Sequence, residues 1–416
     1  MAWVTRRPVA WRQSVDGERL IGGLTKALEI DARLLTMLGV LLAISAVFGV
    51  VTNGIFLSPR NLFNLAVQTS VVGVMAAGMV VVIVARQIDL SVGSLLGFLG
   101  IFAAVLQTKV FPEGVWYNWI ASLLLCMAMG AVVGAFQGYW VAYRGLPSFI
   151  VTLAGLLGWR AVAWLVAGGV NIAPMDENFQ RLGGGLEGSI GPEASWIVGL
   201  VAVAALWTLS FKARARRRRF GFPVRSLTIQ IALVAIGSAA IVAGVCTMNN
   251  YSHPIRHTPM GIPIPVLLLI AAVIAMTVIA NHTKFGRYIY GIGGNPEAAE
   301  LSGLNIKLVT VCIFMTMGLL TALAACISIA RLNTAPTSLG QLQELNVIAA
   351  AVIGGASLRG GIGTVPGAIL GALIMQSLIN GMVLIGIDTP VQQIVLACGI
   401  LAAVWFDVVY QKRYRH

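Results

Sequence analysis

The chain has 416 residues, 58% of them hydrophobic and only 10% charged, and its mean hydropathy is +0.88. Soluble domains carry about 25% charged residues. That composition excludes a soluble globular protein and a disordered chain and, despite a net charge of +13, a nucleic-acid-binding domain. The apolar runs are long and unbroken, which also excludes the alternating pattern of a β-barrel.

The first 33 residues carry Arg6, Arg7, Arg12, Arg19, Lys26 and Arg33 and no early apolar core, so they read as a basic cytoplasmic tail and not a cleavable signal. A helix needs about 20 mostly apolar residues to cross the bilayer core. Twelve segments approach that: 34–52, 65–85, 90–108, 118–143, 148–168, 195–211, 226–247, 262–280, 307–330, 342–356, 364–386 and 391–408. The predicted fold is an all-α polytopic membrane protein of about 10–12 transmembrane helices. It forms a single transmembrane domain over 34–410, with a cytoplasmic tail at 411–416. Segment 342–356 is the shortest and is rich in small residues, so it reads as a half-helix or broken helix buried in protein. Whether 226–280 holds two full spans or a re-entrant pair stays open.

Starting inside and crossing at each segment puts 22 of the 28 basic residues on the cytoplasmic side and five outside, with Arg160 in mid-span. Such a bias orients a membrane protein with both termini cytoplasmic. The run Lys212–Arg219 falls in a basic cytoplasmic loop at 212–225, where it acts as a topology determinant near anionic headgroups. All five cysteines lie in apolar runs and read as buried thiols, with no disulfide framework or metal site. The chain has no P-loop, HExxH or GxSxG motif and hence no nucleotide-hydrolysing machinery of its own.

Four stretches carry chemistry. In "RQIDLSVGSLLG" (86–97), Asp89 lies at or near membrane depth between two spans. It caps the following helix, pairs with Arg86 three residues earlier, or serves in gating, together with Ser91 and Gly93. In "LAGLLGWRAVAWL" (153–165), Arg160 stands alone inside a span and must pair within the bundle or contact substrate.

The third stretch, 282–306, is a polar cytoplasmic region. Its "NPEAAELSG" run reads as a surface helix of about two turns. Asn295 is the cap, Pro296 the first position, Glu297 and Glu300 fall in the first turn, and Gly303 is the stop. It is either a plain connector or a docking knob, on which small Ala298 and Ala299 would let a partner approach. The fourth, 349–374, is the most glycine-dense, and its 360–363 turn carries Arg359.

"GMVVVIVARQIDLSVGS", "GLPSFIVTLAGLLGWR", "FGRYIYGIGGNPEAAELSGLNI" and "ELNVIAAAVIGGASLRGGIGTVPGA" follow one another over residues 60–410. In that order they resemble the permease subunits of bacterial ABC importers for monosaccharides, a family that includes ribose, arabinose, galactose and xylose permeases. The "VAYRGLPSFIVTLAGLLGWR" stretch and the extra residues around 211–265 favour its xylose-type members.

The resemblance implies a bacterial inner-membrane protein that imports D-xylose or a related monosaccharide. Its expected partners are a second copy of the permease, a cytoplasmic ABC ATPase and a periplasmic sugar-binding protein, in a lipid bilayer and without nucleic acid. ATP and magnesium would be bound by the ATPase chain, and no cofactor by this one, which is not an enzyme. The match onto Gly294, Asn295, Pro296, Glu297, Ala298, Ala299, Glu300 and Gly303 implies a coupling helix.

Sugar hydroxyls need polar groups along their path. Candidates by polarity are Asn64, Gln68, Ser70, Ser91, Asn346, Gln376 and Asn380, beside Asp89, Gly93 and Arg160. A secondary transporter driven by an ion gradient is the alternative. It would need intramembrane carboxylates, and Asp89 is nearly the only one, Glu344 and Asp388 lying at predicted span ends.

Overall fold

In a bilayer every backbone polar group must find its partner inside the protein, so helices are the available solution for long apolar runs. The computed structural model describes residues 32–413 apart from 113, 186, 223 and 256. The basic tail before residue 32, Arg256 and the last three residues lie outside the described residues. Ten of the described helices are long and apolar enough to cross a membrane. Isolated bridges are the only β-pairing among the described residues.

The first membrane helix, α1, covers Ala32–Val51 and leads through a short 3-10 turn into α2, Pro59–Val84. Ser58 caps α2 by accepting from the Asn61 amide at 3.4 Å, and Pro59 occupies the first turn, where its missing N–H costs nothing. The sequence of α2 is apolar on all sides, which suits a helix enclosed by others. Its membrane window is 94% buried, against 11% for α1. Every residue of α2 from Thr69 to Val84 is buried.

Helix α3 (Val92–Val105, continued by a π turn to Val110) is followed by α4 (Asn118–Ala142) and α5 (Ser148–Ala167). The outer connection carries a four-residue turn, α6 (Glu177–Gln180). Next come α7 (Gly191–Arg219) and α8 (Leu227–Asn249), a hairpin whose windows are each 11% buried, then α9 (Ile264–His282). The region 226–280 therefore holds two long helices. The basic run is not a loop: α7 stays helical through Arg219, and only 220–226 connects the hairpin. Four arginines in the last turn complement the negative end of the helix dipole.

On the basic side follow α10 (Lys284–Gly294) and α11 (Pro296–Leu301), then the long α12 (Ile306–Leu332). The predicted segment at 342–356 is the eleven-residue α13, Gln343–Ile353. At 1.5 Å per residue it spans about 16 Å, half a bilayer core. The chain reaches it from Asn333 through ten non-helical residues. Leu339 and Gly340 in that stretch lie against Gly97 and Gly93 of α3, which places the start of α13 inside the bundle. Helices α14 (Val365–Leu384) and α15 (Thr389–Arg413) complete the chain.

α2 packs against α9, α12, α13 and α14 and forms the axis of the bundle. The most extensive helix pair is α4 with α12. Gly130, Gly134 and Gly138 recur every four residues on α4 and meet the backbone of Gly318, Phe314 and Val311. Small residues at this spacing let two helices approach until only backbone fills the gap. Of the five cysteines, Cys126 and Cys326 are buried in this core, Cys246 and Cys312 are partly covered, and Cys398 is exposed, so the expectation of five buried thiols holds for two.

Gly318→Leu would drive a side chain into the Gly130 carbonyl. Overpacking of this kind costs about 1–3 kcal/mol. The thermal midpoint of purified protein in detergent should fall clearly for Gly318→Leu. It should not fall for Gly244→Ala, where a new Cβ meets nothing.

Candidate functional site

Two groups of residues stand out: a cytoplasmic knob fixed to the end of α2, and polar side chains buried within the bundle.

The knob begins at Thr283, whose hydroxyl accepts from the Gly286 amide at 3.1 Å and caps α10. α10 stops at Gly294. Asn295 then caps α11 by accepting from the Ala298 amide at 3.1 Å, and Pro296 sits in the first turn. Gly303 has φ +84°, a left-handed conformation that ends the turn after α11. The predicted cap, first residue and stop therefore all occur. Glu297, Ala298 and Glu300 are exposed, and Leu301 is 90% exposed at the tip. Ala299 differs from expectation: it faces inward and packs into the main core.

Three strands of backbone converge beneath the knob. The Gly361 amide donates to the Val84 carbonyl at the end of α2, at 2.8 Å. Gly293 lies so close to Val84 and Gly361 that a Cβ there would collide with the Val84 oxygen. Arg86 donates from Nε to the Gly293 carbonyl at 2.7 Å and from Nη2 to the Gly294 carbonyl at 2.9 Å. It thereby satisfies the open carbonyl end of α10. The Tyr290 hydroxyl donates to the Gly363 carbonyl at 2.6 Å.

Arg86 therefore does not pair with Asp89. The chain from 86 to 91 is not helical, so the three-residue spacing brings no side chains together. Asp89 is buried and accepts through Oδ1 from the Ser91 amide at 2.9 Å and the Ser91 hydroxyl at 2.7 Å. Asp89 therefore does not cap α3: the residue preceding that helix is Ser91, two positions on, and Asp89 holds Ser91 instead. Gln137 of α4 hydrogen-bonds Ser91 Oγ through Nε2 at 2.9 Å. Ser148 Oγ accepts from the Ile88 amide at 3.2 Å, tying the segment to the start of α5. Burial, partly offset by the Ser91 bonds, pushes the Asp89 carboxyl up to about 6.

Deeper in the bundle, Arg160 donates from Nη1 to the Leu339 carbonyl at 2.6 Å. Glu344, a buried carboxylate at the start of α13, has its Oε2 against Gly93 with no hydrogen-bond partner. Sequence reading placed Glu344 at a span end. The structure brings it into the interior because α13 begins there. Asn380 accepts from Asn61 Nδ2 at 2.9 Å, a clasp between α2 and α14 that polarity alone did not indicate. Asn346 donates to Gln343 Oε1 at 3.3 Å, and Ser70 to the Ala66 carbonyl at 2.8 Å. Gln376 is buried, Gln68 half-buried, and Asn64 exposed on the surface of this chain. The polar candidates therefore do not form one cluster. Asp89 and Ser91 meet Gln137, while Arg160, Gly93 and Glu344 meet around Leu339.

Long apolar helices around a broken segment, with charged side chains at the break and a capped knob on the basic side, define a polytopic membrane permease. A family model described as branched-chain amino acid transport system / permease component matches residues 61–404, and the chain belongs to that family. It is 36% identical to the xylose transport system permease protein XylH of Escherichia coli (strain K12) over 394 residues, covering 94% of this chain and 96% of the relative. It is 38% identical to XylH of Haemophilus influenzae over 390 residues, covering 93% and 99%. It is 33% identical to the ribose import permease protein RbsC of E. coli (strain K12) over 395 residues, covering 95% and 98%. No solved structure matches the chain.

Asp89 takes up its proton in the folded protein at a higher pH than in the unfolded chain, where the carboxyl titrates near 3.8. Its contribution to stability therefore rises as pH falls through 6 and is complete below 3.8. Asp89→Asn retains an acceptor for Ser91 without the charge. Thermal midpoints of wild type and Asp89→Asn, compared from pH 7.5 downward, should converge as the pH falls. A constant difference would show that Asp89 does not titrate in this range.

Proposed function

We propose that this chain is the membrane-spanning permease subunit of an ATP-driven, binding-protein-dependent monosaccharide importer of the bacterial inner membrane, with D-xylose or a related sugar as cargo. The observation that carries the reading is the exposed α10–α11 knob, fastened through Arg86 and Val84 to the buried axis of the bundle. Kinship over nearly the whole chain to permeases named for xylose and ribose gives the cargo class.

The chain carries no nucleotide-binding motif, so the energy comes from a separate ATPase that docks on the knob. Glu297, Ala298, Glu300 and Leu301 form the docking face. Closure of the ATPase moves the knob. The junction of Gly293, Arg86 and Gly361 passes that displacement to α2, while α9 and α12 move with the knob as its flanking helices. Two copies of the chain enclose the path, and a periplasmic binding protein delivers the sugar. High affinity resides in the binding protein, so the membrane path needs polar groups but not tight binding. Asp89, Ser91, Arg160 and Glu344 stand where a gate on such a path would be placed.

Proteoliposomes holding this chain, its ATPase and its binding protein test the reading. Labelled xylose should enter only with the binding protein present, and vanadate should stop it. Uptake that ignores both would reject the importer and favour an ion-driven carrier. Glu297→Arg and Gly303→Trp should insert normally, retain basal ATPase activity and lose uptake. Arg86→Ala removes two charge-assisted hydrogen bonds, one part-buried and one exposed. It should lower sugar imported per ATP hydrolysed, and unchanged stoichiometry would remove the junction from the coupling route.

A further inference from the structure

The cytoplasmic end of the α7–α8 hairpin carries a feature that import does not use. A cavity of about 370 Å³ opens between the two helices. Its upper wall holds Arg214, Arg217, Arg225 and Gln230, and its lower wall Leu206, Leu233 and Val234. One end is cationic and the other aliphatic.

The polar end is organised. Gln230 is buried and donates through Nε2 to both the carbonyl and the hydroxyl of Ser210, each at 3.0 Å. Its Oε1 accepts from Arg214 Nη1 at 3.0 Å, and the same guanidinium donates to the Arg225 carbonyl. Arg214 is thus held at the mouth by the loop and by α8 together. Arg217, one turn further on, is exposed beside it. Phe220 and Phe222 project from the connecting turn, 68% and 63% exposed, as aromatic side chains do at a membrane interface.

The charge is unbalanced from within. Seven basic residues lie between Lys212 and Arg225, and no Asp or Glu occurs anywhere between Glu193 and Glu297. The hairpin is also peripheral. α7 packs chiefly on α8, α8 reaches the bundle through α2, and neither α10 nor α11 is among the helices that pack substantially on either. Most of its surface is left uncovered by the rest of the chain.

We propose that this cavity is a binding site for an anionic phospholipid of the inner leaflet. The phosphodiester is taken by Arg214, Arg217 and Arg225, and an acyl chain lies along Leu206, Leu233 and Val234. Guanidinium groups match phosphate oxygens in pairs. Basic pockets between helices on the cytoplasmic side suit such headgroups. The aliphatic wall selects a lipid over free phosphate. The occupied site would clamp the hairpin to the inner leaflet beside the bundle axis.

The test uses the purified, delipidated full-length chain in neutral detergent. It is titrated with dioleoylphosphatidylglycerol or dioleoylphosphatidylcholine, and bound lipid is counted by native mass spectrometry. Phosphatidylglycerol should bind in preference to phosphatidylcholine. The triple variant R214Q/R217Q/R225Q loses three headgroup charges and should lose about a hundredfold in affinity for phosphatidylglycerol. R216Q/R218Q/R219Q removes equal charge outside the cavity and should keep the preference. Should the first triple variant aggregate, Arg217→Gln alone, which alters only an exposed side chain, should still weaken phosphatidylglycerol binding.

Equal binding of the two lipids, or equal loss in both triple variants, would overturn the site. Displacement of phosphatidylglycerol by excess inorganic phosphate would show an anion site without lipid specificity and would also overturn it. Unchanged lipid binding in R214Q/R217Q/R225Q, with loss of its assembly with a cytoplasmic protein, would assign the cluster to a protein contact instead.

Discussion

The structure turns on one carbonyl. Val84 ends a helix that is enclosed on every side, and its oxygen would be an unsatisfied group at the rim of the core were it not for the Gly361 amide. That bond brings the glycine loop under α2. Gly293 then has to lie against the same oxygen, and no residue with a Cβ fits there. Gly360 and Gly361, with φ of +83° and +75°, adopt turns that only glycine enters without strain. Arg86 closes the arrangement from a left-handed backbone position of its own, φ +61°, held by its two bonds to Gly293 and Gly294. The surface knob is therefore attached to the most buried element in the chain by close backbone contact at Gly293 and by the two bonds of the Arg86 side chain.

The same logic explains the interior. A helix broken inside a membrane exposes backbone groups that lipid cannot satisfy. Here the exposed carbonyl of Leu339 is taken by Arg160. Further out, Ile172 and Ala335 exchange both backbone hydrogen bonds, at 3.2 and 2.9 Å, and Asn333 Oδ1 accepts from the Met175 amide at 2.8 Å. The outer connection thus straps the descending chain down to the start of α13. Arginine in a span is costly unless it has such work. Glu344 beside it places a carboxylate of opposite charge at the break. Irregular backbone, the half-buried Arg160, the buried Glu344 and the close approach of α3 at Gly93 thus form one unit, next along α3 from the Asp89–Ser91–Gln137 group.

Much of this was legible in the sequence. Hydropathy located the spans because the bilayer makes length and polarity strict requirements. The shortness and small residues of 342–356 marked the broken helix, and Asn295, Pro296 and Gly303 marked the knob, because capping is local chemistry. What could not be read is long-range. Arg86 reaches residues more than 200 positions away, and its spacing to Asp89 misled because a turn, not a helix, joins them. Gln137 and Asn61 meet Ser91 and Asn380 only through the fold, and nothing in the sequence around them signals it. Glu344 looked like the end of a span because a hydropathy window does not distinguish a half-helix that starts inside the bundle from one that starts at its surface. The basic run read as a loop for a related reason: charge ends a hydropathy segment, whereas α7 continues through it and gains from cations in its last turn.

The central claim is that the knob and the glycine loop move as one body with α2 when the ATPase closes. Spin labels at Gly291→Cys on the knob, away from its docking face, and Leu358→Cys on the loop, both exposed in the native chain, measure it most directly in a background without the five native cysteines. The distance between them should be the same in the nucleotide-free and vanadate-trapped transporter, while distances from either label to the periphery of the bundle change. A change of several ångströms between the two labels on trapping would mean that the knob slides over the loop, and the junction at Val84 would not be the point where motion enters the membrane.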